Sequence, residues 1–315
     1  MIENMKLTDI EHHFINVNQL HRIHVIEAGN RQGPCVVFMH GGPGSGVNEK
    51  LINYLDCEHY HVLLIDQRGC GLSAPCGELS DNNLDALISD IEVVRQHFGI
   101  DRWSVTAGSW GSLLALCYAI EQPEKIDALV LRGCFLGRAS EIEWLYTPDG
   151  ASRYYPDIWE KFVEQCPAND VDGILTYYQT NLNNPNEKVR WEAACRWLAW
   201  ASISMGDGST LLSVVQQDRE GLIAKAKIMC HFIINRCFLP SENYILTHLT
   251  SVQNIPMWII HGREDVICLP LTAWQLCHEH GNANLTFLEK VGHSPVDVAM
   301  TDALRNCFEE LKNLT

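Results

Sequence analysis

The sequence predicts an α/β fold with a mainly parallel central sheet and an inserted helical cap. Short apolar runs of strand length alternate with helical patterns towards both ends of the chain, and such alternation is typical of parallel sheets. Between about Phe135 and Val252 the strand pattern disappears, and five of the nine tryptophans fall in this stretch. We therefore predict a core formed by residues 1–134 and 253–315, and a helical cap formed by residues 135–252.

The predicted strands of the core are short, and most of them end in a loop with polar or glycine residues. In chain order they are 14–17, 22–27, 35–39, 61–65, 102–106, 128–131, 256–261 and 283–288. Residues 84–98 have apolar side chains at helical spacing, and either Asp81 or Asn83 suits the N-cap of this helix. The apolar sequence of residues 113–120 predicts a second helix. Ligands of such sheets bind at the carboxyl ends of the strands, so polar residues there are the first site candidates.

Ser109 lies in a short turn between a predicted strand and a predicted helix. Residues 105–112 read Val-Thr-Ala-Gly-Ser-Trp-Gly-Ser, which matches the nucleophile elbow G-x-S-x-G except that Ala107 replaces the first glycine. Small neighbours are needed because this strained turn brings the strand and the helix close together. The pattern predicts a nucleophilic serine, and the alternative is a serine flanked by glycines in an ordinary loop.

An acid and a histidine follow the serine in the chain order of a hydrolase triad. Asp265 comes after the strand at 256–261, and His293 comes after the strand at 283–288. His293 would take the proton of the serine hydroxyl, and Asp265 would orient the imidazole. Glu264 competes with Asp265 for this role on composition alone. A lone histidine is more often structural, so the prediction depends on the serine, the acid and the histidine together.

A glycine-rich turn directly after the third predicted strand is the expected oxyanion hole. It reads His-Gly-Gly-Pro-Gly at 40–44, where missing side chains let a backbone N–H approach a substrate carbonyl. We predict Gly42 and Trp110 as the two N–H donors, since Trp110 follows the nucleophile. The alternative is a dinucleotide-binding turn with Asp66 as the ribose ligand, but Val47 stands where its third glycine should lie.

The composition disfavours several other classes of function. Among 315 residues, 39 are acidic and 23 basic, and the resulting net charge of −16 disfavours nucleic-acid binding. No apolar run reaches the roughly 18 residues of a membrane span, and the opening residues lack a signal-peptide pattern. The 13 cysteines contain no Cys-x-x-Cys pair, which favours free thiols in a reducing compartment. We predict a cytoplasmic protein without cofactor or metal, and the sequence leaves the oligomeric state open.

Several longer stretches carry specific motifs. They read HGGPGSG at 40–46, DQRGCGLS at 66–73, AGSWGSLLAL at 107–116, LRGCF at 131–135, DGASRYYPDIW at 149–159 and HGREDVIC at 261–268. Together they resemble the proline iminopeptidases of the α/β-hydrolase fold and span most of the chain. The resemblance implies Ser109, Asp265 and His293 as the triad, with Gly42 and Trp110 as oxyanion donors. It also implies an aminopeptidase that releases an N-terminal proline or a similar small residue.

The cap departs from this family where the family binds the free amine of its substrate. The resemblance places one of two amine-binding glutamates at Ala201, after the pair Trp197 and Trp200, and the other at Met229. Loss of both weakens ammonium recognition by roughly 10²–10⁴. Either another acid replaces them, or the substrate presents no free amine. The candidates for a replacement acid are Glu143, Asp207, Asp218 and Glu220.

The remaining substrate pocket combines kept and altered positions. The resemblance implies that Phe135, Arg132 and Cys268 are kept, whereas Leu145 and Ile233 replace aromatic residues. Trp197 and Trp200 lie three residues apart on one helical face and could line the same pocket. The complete set of predicted substrate-binding residues is Phe135, Arg132, Leu145, Trp200, Met229, Ile233 and Cys268.

Three functions are compatible with these residues. The first is a serine hydrolase that cleaves an amide or peptide bond through an acyl-enzyme, with an altered substrate specificity. The second is an esterase, thioesterase or acyl-transfer enzyme that uses the same triad on a small molecule without a free amine. The third is a catalytically silent binding protein, which is disfavoured because every expected catalytic residue is present.

Overall fold

A computed structural model describes residues 10–203 and 218–313 and contains one eight-stranded sheet. The strands are β1 (Glu11–Asn16), β2 (Arg22–Gly29), β3 (Cys35–Met39), β4 (His61–Ile65), β5 (Trp103–Gly108), β6 (Ile126–Arg132), β7 (Met257–Gly262) and β8 (Ala283–Leu288). Their order across the sheet is β1-β2-β4-β3-β5-β6-β7-β8. β2 runs antiparallel to β1 and β4, and the other neighbouring pairs are parallel. The predicted α/β fold with a mainly parallel sheet is confirmed.

The central strands are buried on both sides because residues pack against both faces of the sheet, although one side of β5 carries the polar residues Ser104 and Thr106. Every residue of β4 and β5 is buried, and the two faces belong to two separate hydrophobic clusters. β3 lies between β4 and β5, and its last residue, Met39, pairs with Ala107 near the end of β5. This register places the glycine-rich turn after β3 beside the turn that holds Ser109.

The two helices predicted at 84–98 and 113–120 are present with slightly different ends, and further helices follow them in the chain. The helices are α1 (Leu84–His97), α2 (Trp110–Glu121), α3 (Ala139–Tyr146), α4 (Pro156–Val163), α5 (Val171–Leu182), α6 (Glu187–Ala201), α7 (Arg219–Ile234), α8 (Tyr244–His248), α9 (Pro270–His280) and α10 (Val298–Leu311). Of the two N-cap candidates for α1, Asn83 accepts the Ala86 N–H at 2.9 Å. α2 begins three residues earlier than predicted, directly after Ser109.

Helices α3 to α8 lie between β6 and β7, in the stretch predicted as the cap. An aromatic cluster packs several of them together. Ring centroids of Trp197 and Tyr146 lie 5.3 Å apart, those of Trp200 and Phe162 lie 5.6 Å apart, and Trp159 packs edge-on against Trp200. The division into residues 1–134 with 253–315 and residues 135–252 stays a prediction. None of the described helices has the length and apolarity needed to cross a bilayer.

Candidate active site

Ser109 occupies a strained turn between β5 and α2. Its backbone torsions, φ 56° and ψ −129°, lie outside the regions that non-glycine residues favour. The Ser109 N–H donates to the Arg132 carbonyl at 3.1 Å, which ties the turn to the end of β6. A Cβ at Gly111 would lie 2.3 Å from the Met39 carbonyl oxygen, so only glycine lets α2 approach β3 this closely. This is the geometry of a nucleophile elbow.

The loops after β7 and β8 bring Asp265 and His293 into contact. Nδ1 of His293 lies 2.7 Å from Oδ2 of Asp265, and with a carboxylate as partner the ring N–H is the donor. The other oxygen, Oδ1, accepts the backbone N–H groups of Ile267 and Cys268, each at 2.9 Å. Asp265 is buried, whereas Glu264 is exposed. Of the two acids, only Asp265 contacts His293 in this structure.

The surroundings keep Asp265 ionised. Burial alone would raise the pKa of Asp265, but His293, His261 and the Cys268 N–H together hold it below its ordinary value of 3.8. Burial lowers the pKa of His261, which therefore stays neutral and donates from Nε2 to the Cys268 carbonyl at 2.7 Å. An ionised carboxylate at this position would stabilise the imidazolium form of His293 during a reaction.

Gly133 and Arg132 position the His293 ring and its loop. A Cβ on Gly133 would lie 3.1 Å from both Cε1 and Nδ1 of His293, so the imidazole packs directly on this glycine. The Arg132 guanidinium packs against Gly108 and donates to the His293 carbonyl at 3.4 Å. Arg132 therefore lies next to the elbow and the histidine loop, and its contact with substrate stays a prediction.

The Ser109 hydroxyl lies next to a thiol. Its Oγ is 4.0 Å from Sγ of Cys268, and within residues 10–203 and 218–313 no hydrogen bond joins it to His293. Catalytic hydrogen bonds are commonly long before substrate binds, and they shorten in the reacting complex. Burial, together with the nearby charge of Asp265, raises the pKa of Cys268 well above its ordinary value. The thiol therefore stays protonated and does not compete as a nucleophile.

The glycine-rich turn packs against the elbow. A Cβ on Gly41 would lie 2.8 Å from the Gly108 carbonyl oxygen and 3.2 Å from Cβ of Ser109. Gly42 has a φ of 116°, which only glycine adopts readily. Trp110 is the first residue of α2, so its N–H has no acceptor within the helix. Gly42 thus lies in the glycine-rich turn, and Trp110 directly follows the elbow with which this turn is in contact.

Gln67 joins these two loops, although the sequence alone does not single it out. Its Nε2 donates to the His40 carbonyl at 2.8 Å, and its Oε1 accepts the indole N–H of Trp110 at 3.1 Å. The Gln67 backbone N–H donates to Nε2 of His40 at 3.1 Å, which requires a neutral ring. Burial provides this by lowering the pKa of His40. Gln67 lies in the motif DQRGCGLS, and Gly133 lies in the motif LRGCF. These two motifs are the sequence signal that could have identified both residues.

Four of the predicted substrate-binding residues are buried on elements around the elbow. The Phe135 N–H donates to Oγ of Ser112 on α2 at 3.0 Å, and Cys268 contacts Ser109 as described. Met229 and Ile233 are buried on α7, the helix whose Phe232 packs against Trp110 with 4.7 Å between ring centroids. Their contact with substrate stays a prediction.

Leu145 and Trp200 contact each other. The Trp200 indole N–H donates to the Leu145 carbonyl at 2.9 Å, and the Trp200 ring is only 2% exposed within the aromatic cluster. Trp197, 1% exposed, belongs to the same cluster. This packing gives both tryptophans a structural role in joining the cap helices, and the substrate contact of Leu145 and Trp200 stays a prediction.

Three of the four candidate replacement acids lie at the surface. Glu143, Asp218 and Glu220 are exposed, and Asp218 caps α7 by accepting the Gly221 N–H at 2.9 Å. The fourth, Asp207, lies outside the described residues. Met229 is only 8% exposed. Among the residues that the structure describes, none of these acids takes the place of the missing glutamates.

One cluster of possible metal ligands lies on the N-terminal strands. Glu11, His13 and Glu27 bring ligand atoms within 4.8 Å of one another. The Glu27 carboxylate is already bonded to the rings of His13 at 2.8 Å and His61 at 2.9 Å, and it pairs with Arg31 at 3.1 Å. A neighbouring arginine disfavours a cation, so these contacts indicate an ion-pair network.

The sheet, the elbow and the loops that hold an acid and a histidine together define the class of protein. Residues 34–299 match the family described as the alpha/beta hydrolase fold. An esterase from Rhodococcus sp. ECU1013 has the same fold, with a TM-score of 0.66 at 15% identity over 97% of this chain and 99% of that one. The protein is an α/β hydrolase.

Sequence similarity to other proteins identifies the family within the α/β hydrolases to which this chain belongs. The chain is 37% identical over 306 residues to a proline iminopeptidase of Xylella fastidiosa (strain 9a5c), covering 95% of this chain and 96% of that one. It is 36% identical over 299 residues to a proline iminopeptidase of Neisseria meningitidis serogroup A, covering 95% of each. The chain belongs to the proline iminopeptidase family of the α/β hydrolases, which confirms the resemblance found in its motifs.

Proposed function

We propose that this protein is a serine hydrolase that cleaves a small amide or peptide substrate through an acyl-enzyme on Ser109. The observation that carries the proposal is the 2.7 Å hydrogen bond between His293 and Asp265, beside a serine in a strained turn. The relatives named proline iminopeptidase support the release of an N-terminal residue. The apolar residues at Ala201 and Met229 support a substrate specificity that differs from theirs.

Each proposed residue has one task in this reaction. Nε2 of His293 takes the hydroxyl proton while Oγ of Ser109 attacks the substrate carbonyl carbon. The N–H groups of Gly42 and Trp110 stabilise the oxyanion, and one such donor typically contributes roughly 10²–10³ in rate. The imidazolium then gives its proton to the leaving amine. Water next attacks the acyl-enzyme while His293 takes a proton from it, and the imidazolium returns this proton to Oγ of Ser109 as the acid product leaves. Asp265 orients and stabilises the imidazolium without taking its proton.

A substrate without a free amine is the second candidate, and the environment of Met229 favours it. An ammonium group buried against apolar side chains without a carboxylate partner is strongly unfavourable. The described candidate acids are exposed rather than turned into the site. The same triad would then act as an esterase, thioesterase or acyl-transfer enzyme.

A fluorophosphonate probe tests the nucleophile. We expect the wild-type protein to be labelled and Ser109→Ala to remain unlabelled. Asp265→Asn should be labelled more slowly by roughly 10⁴, because the amide favours the wrong tautomer of His293. Ser251→Ala, which removes an exposed serine, is the control and should react like wild type. A folded wild-type protein that resists labelling would overturn the serine mechanism.

A substrate panel separates the two candidates. Prolyl and alanyl anilides, their N-acetylated forms and simple esters are compared by kcat/KM. Release from the unblocked anilides supports an aminopeptidase, since only these carry a free amine. A preference for blocked anilides or esters would defeat the aminopeptidase assignment and favour the second candidate.

We also propose a cytoplasmic location. The 13 cysteines are all free thiols in the structure, which is typical of a reducing compartment. Cell fractionation with an antibody against the native protein tests this proposal directly.

A further inference from the structure

Helix α3 contacts the loop that carries Asp265, which comprises residues 263–268 and is called the acid loop below. The indole N–H of Trp144 in α3 donates to the Val266 carbonyl at 2.8 Å, and Val266 directly follows Asp265. The two bonded residues lie 122 positions apart in the chain, so the bond joins two separate parts of the fold. An indole side chain has only two rotatable bonds, and it therefore holds a distant carbonyl at a small cost in entropy.

The Val266 carbonyl and the Asp265 carboxylate belong to one compact turn. Oδ1 of Asp265 accepts the backbone N–H groups of the two residues that follow Val266, each at 2.9 Å. Just before Asp265, the Glu264 N–H donates at 2.9 Å to the Val291 carbonyl in the histidine loop. The acid loop is thus bonded to the histidine loop on one side and to α3 on the other. A displacement of Val266 would move the carboxylate that orients His293.

The position of Trp144 is itself well defined. Its ring packs against the main hydrophobic cluster, and its centroid lies 6.3 Å from that of Tyr154. A Cβ on Gly150 would lie 1.8 Å from the Trp144 carbonyl oxygen, so a larger residue would push the segment after α3 away from the helix. The donor of the hydrogen bond to Val266 is therefore held from both sides.

Arg138 and Glu141 continue the contact at three-residue spacing before Trp144, which places all three on one side of α3. The Thr272 hydroxyl, in the first turn of α9, donates to the Glu141 carboxylate at 3.0 Å and accepts from Arg138 at 3.1 Å. Arg138 also donates to Gln275 of α9 at 2.8 Å. This side of α3 therefore contacts both the acid loop and the helix that follows it.

We propose that Trp144 is a positioning residue for Asp265, and that α3 fixes the acid loop in the place where the proposed triad requires it. The inference rests on the proposed serine hydrolase function and adds to it a residue that lies outside the motifs quoted above. Without the indole N–H, the Val266 carbonyl loses its partner and the acid loop relaxes. Asp265 then holds the imidazole of His293 less well, and proton transfer from the serine becomes slower.

Trp144→Phe tests the proposal because it keeps an aromatic ring and removes the indole N–H. The measurement is the second-order rate constant for fluorophosphonate labelling of Ser109, which does not depend on the natural substrate. We expect this constant to fall roughly 10-fold, since a displacement of about 1 Å costs roughly 10² and one lost hydrogen bond permits a smaller shift. Trp258→Phe is the matched control, because it removes the indole hydrogen bond to Glu310 at 3.1 Å and should be labelled like wild type.

A double-mutant cycle with Asp265→Asn separates positioning of the acid from a general structural role. If Trp144 acts through the carboxylate, Trp144→Phe slows labelling of the wild-type protein but leaves the slow labelling of Asp265→Asn nearly unchanged. A distorted elbow would slow labelling by the same factor in both backgrounds. Urea denaturation gives the folded fraction of each variant, and each rate constant is divided by that fraction.

Thr272→Val is a second variant that keeps the test available if Trp144→Phe does not fold. It removes the hydroxyl between Glu141 and Arg138 but leaves the indole bond in place, and its loss of labelling should also disappear in the Asp265→Asn background. Wild-type labelling of the variants, or an equal loss in both backgrounds, would overturn the assignment of α3 and leave the serine mechanism intact. If the folded wild-type protein is not labelled at all, the serine hydrolase proposal itself fails.

Discussion

The orientation of the His293 imidazole depends on a carboxylate on one side and on a missing side chain on the other. Asp265 fixes the Nδ1 proton through a 2.7 Å hydrogen bond. Gly133 leaves the space that the ring occupies, since a Cβ there would lie 3.1 Å from two ring atoms. Contacts this short are tighter than most methyl contacts, so the ring or the backbone must shift by a few tenths of an ångström. Gly133 is thus a positioning residue for the proposed general base.

We expect Gly133→Ala to lower kcat/KM by roughly 10-fold, because the ring must shift by a few tenths of an ångström and a displacement of about 1 Å has an effect of about 10². Gly133 has a φ of 49°, so the alanine also strains the backbone by about 1–2 kcal/mol. Gly99→Ala is the matched control: its φ is 66°, but nothing lies within 4 Å of the added Cβ. Both variants should lose similar stability in urea denaturation. Equal activity in the two variants would contradict a positioning role for Gly133.

At the scale of whole elements, the site is an arrangement of loops at the carboxyl ends of parallel strands. β3 pairs with both β4 and β5, so the loops that follow these three strands are neighbours. Gln67, in the loop after β4, connects the loop after β3 to the loop after β5 through its amide group. Because both ends of this amide are buried, removing it leaves a carbonyl and an indole N–H without partners.

We expect Gln67→Leu to lower kcat on the order of 10-fold with little change in KM, since the predicted oxyanion donors lose their common support. The stability should fall by about 1–3 kcal/mol for each unpaired group. Gln67→Glu keeps an acceptor for the Trp110 indole but not the donor to the His40 carbonyl, so it should fall between wild type and Gln67→Leu. A loss of stability with unchanged kcat would assign Gln67 to the fold alone.

The start of α1 offers a separate test at this scale. Asn83 accepts the Ala86 N–H at 2.9 Å and caps the helix. Asn83→Ala should lower the free energy of unfolding by about 1 kcal/mol, and Asn83→Asp should retain most of it, because aspartate caps equally well. Asp81→Ala, which changes the other candidate from the sequence, should leave the cap intact. A larger effect at Asp81 than at Asn83 in thermal unfolding would contradict the assigned cap.

The molecule as a whole buries several histidines in neutral form. Burial lowers the pKa values of His40, His231, His261 and His280 from the ordinary value of 6.5. Below that pH the unfolded chain binds protons that the folded protein does not bind, so folding stability falls as the pH decreases. Burial raises the pKa values of Asp90 and Glu121, which act in the opposite sense, but their ordinary values of 3.8 and 4.5 lie well below this range.

We expect the free energy of unfolding to be lower at about pH 5.5 than at about pH 7.5, by up to about 1.4 kcal/mol for each of these histidines. Urea denaturation at both pH values, at constant ionic strength, measures the difference. His261→Gln should reduce the pH dependence if it folds, because one of the four titrating groups is then absent. An equal or higher stability at the lower pH would show that these rings are not held neutral.

The sequence by itself determined the strand and helix alternation, the elbow and the chain order of the catalytic candidates. These are local properties, since periodicity, glycine content and position after a strand can be read from neighbouring residues. Specific motifs also determined the family, which sequence similarity to named relatives confirms. The division into a core and a cap stays a prediction, based on a helical stretch that interrupts the alternation.

Composition left Glu264 and Asp265 open and the family resemblance implied Asp265, but only the tertiary structure showed that Asp265 contacts His293. It also showed that Trp200 packs among aromatic side chains of the neighbouring helix α4. It also revealed that Gln67 joins two loops. The physical reason is the same in each case. These properties depend on contacts between residues far apart in the chain, and a contact of this kind leaves no periodic trace in the sequence around either residue.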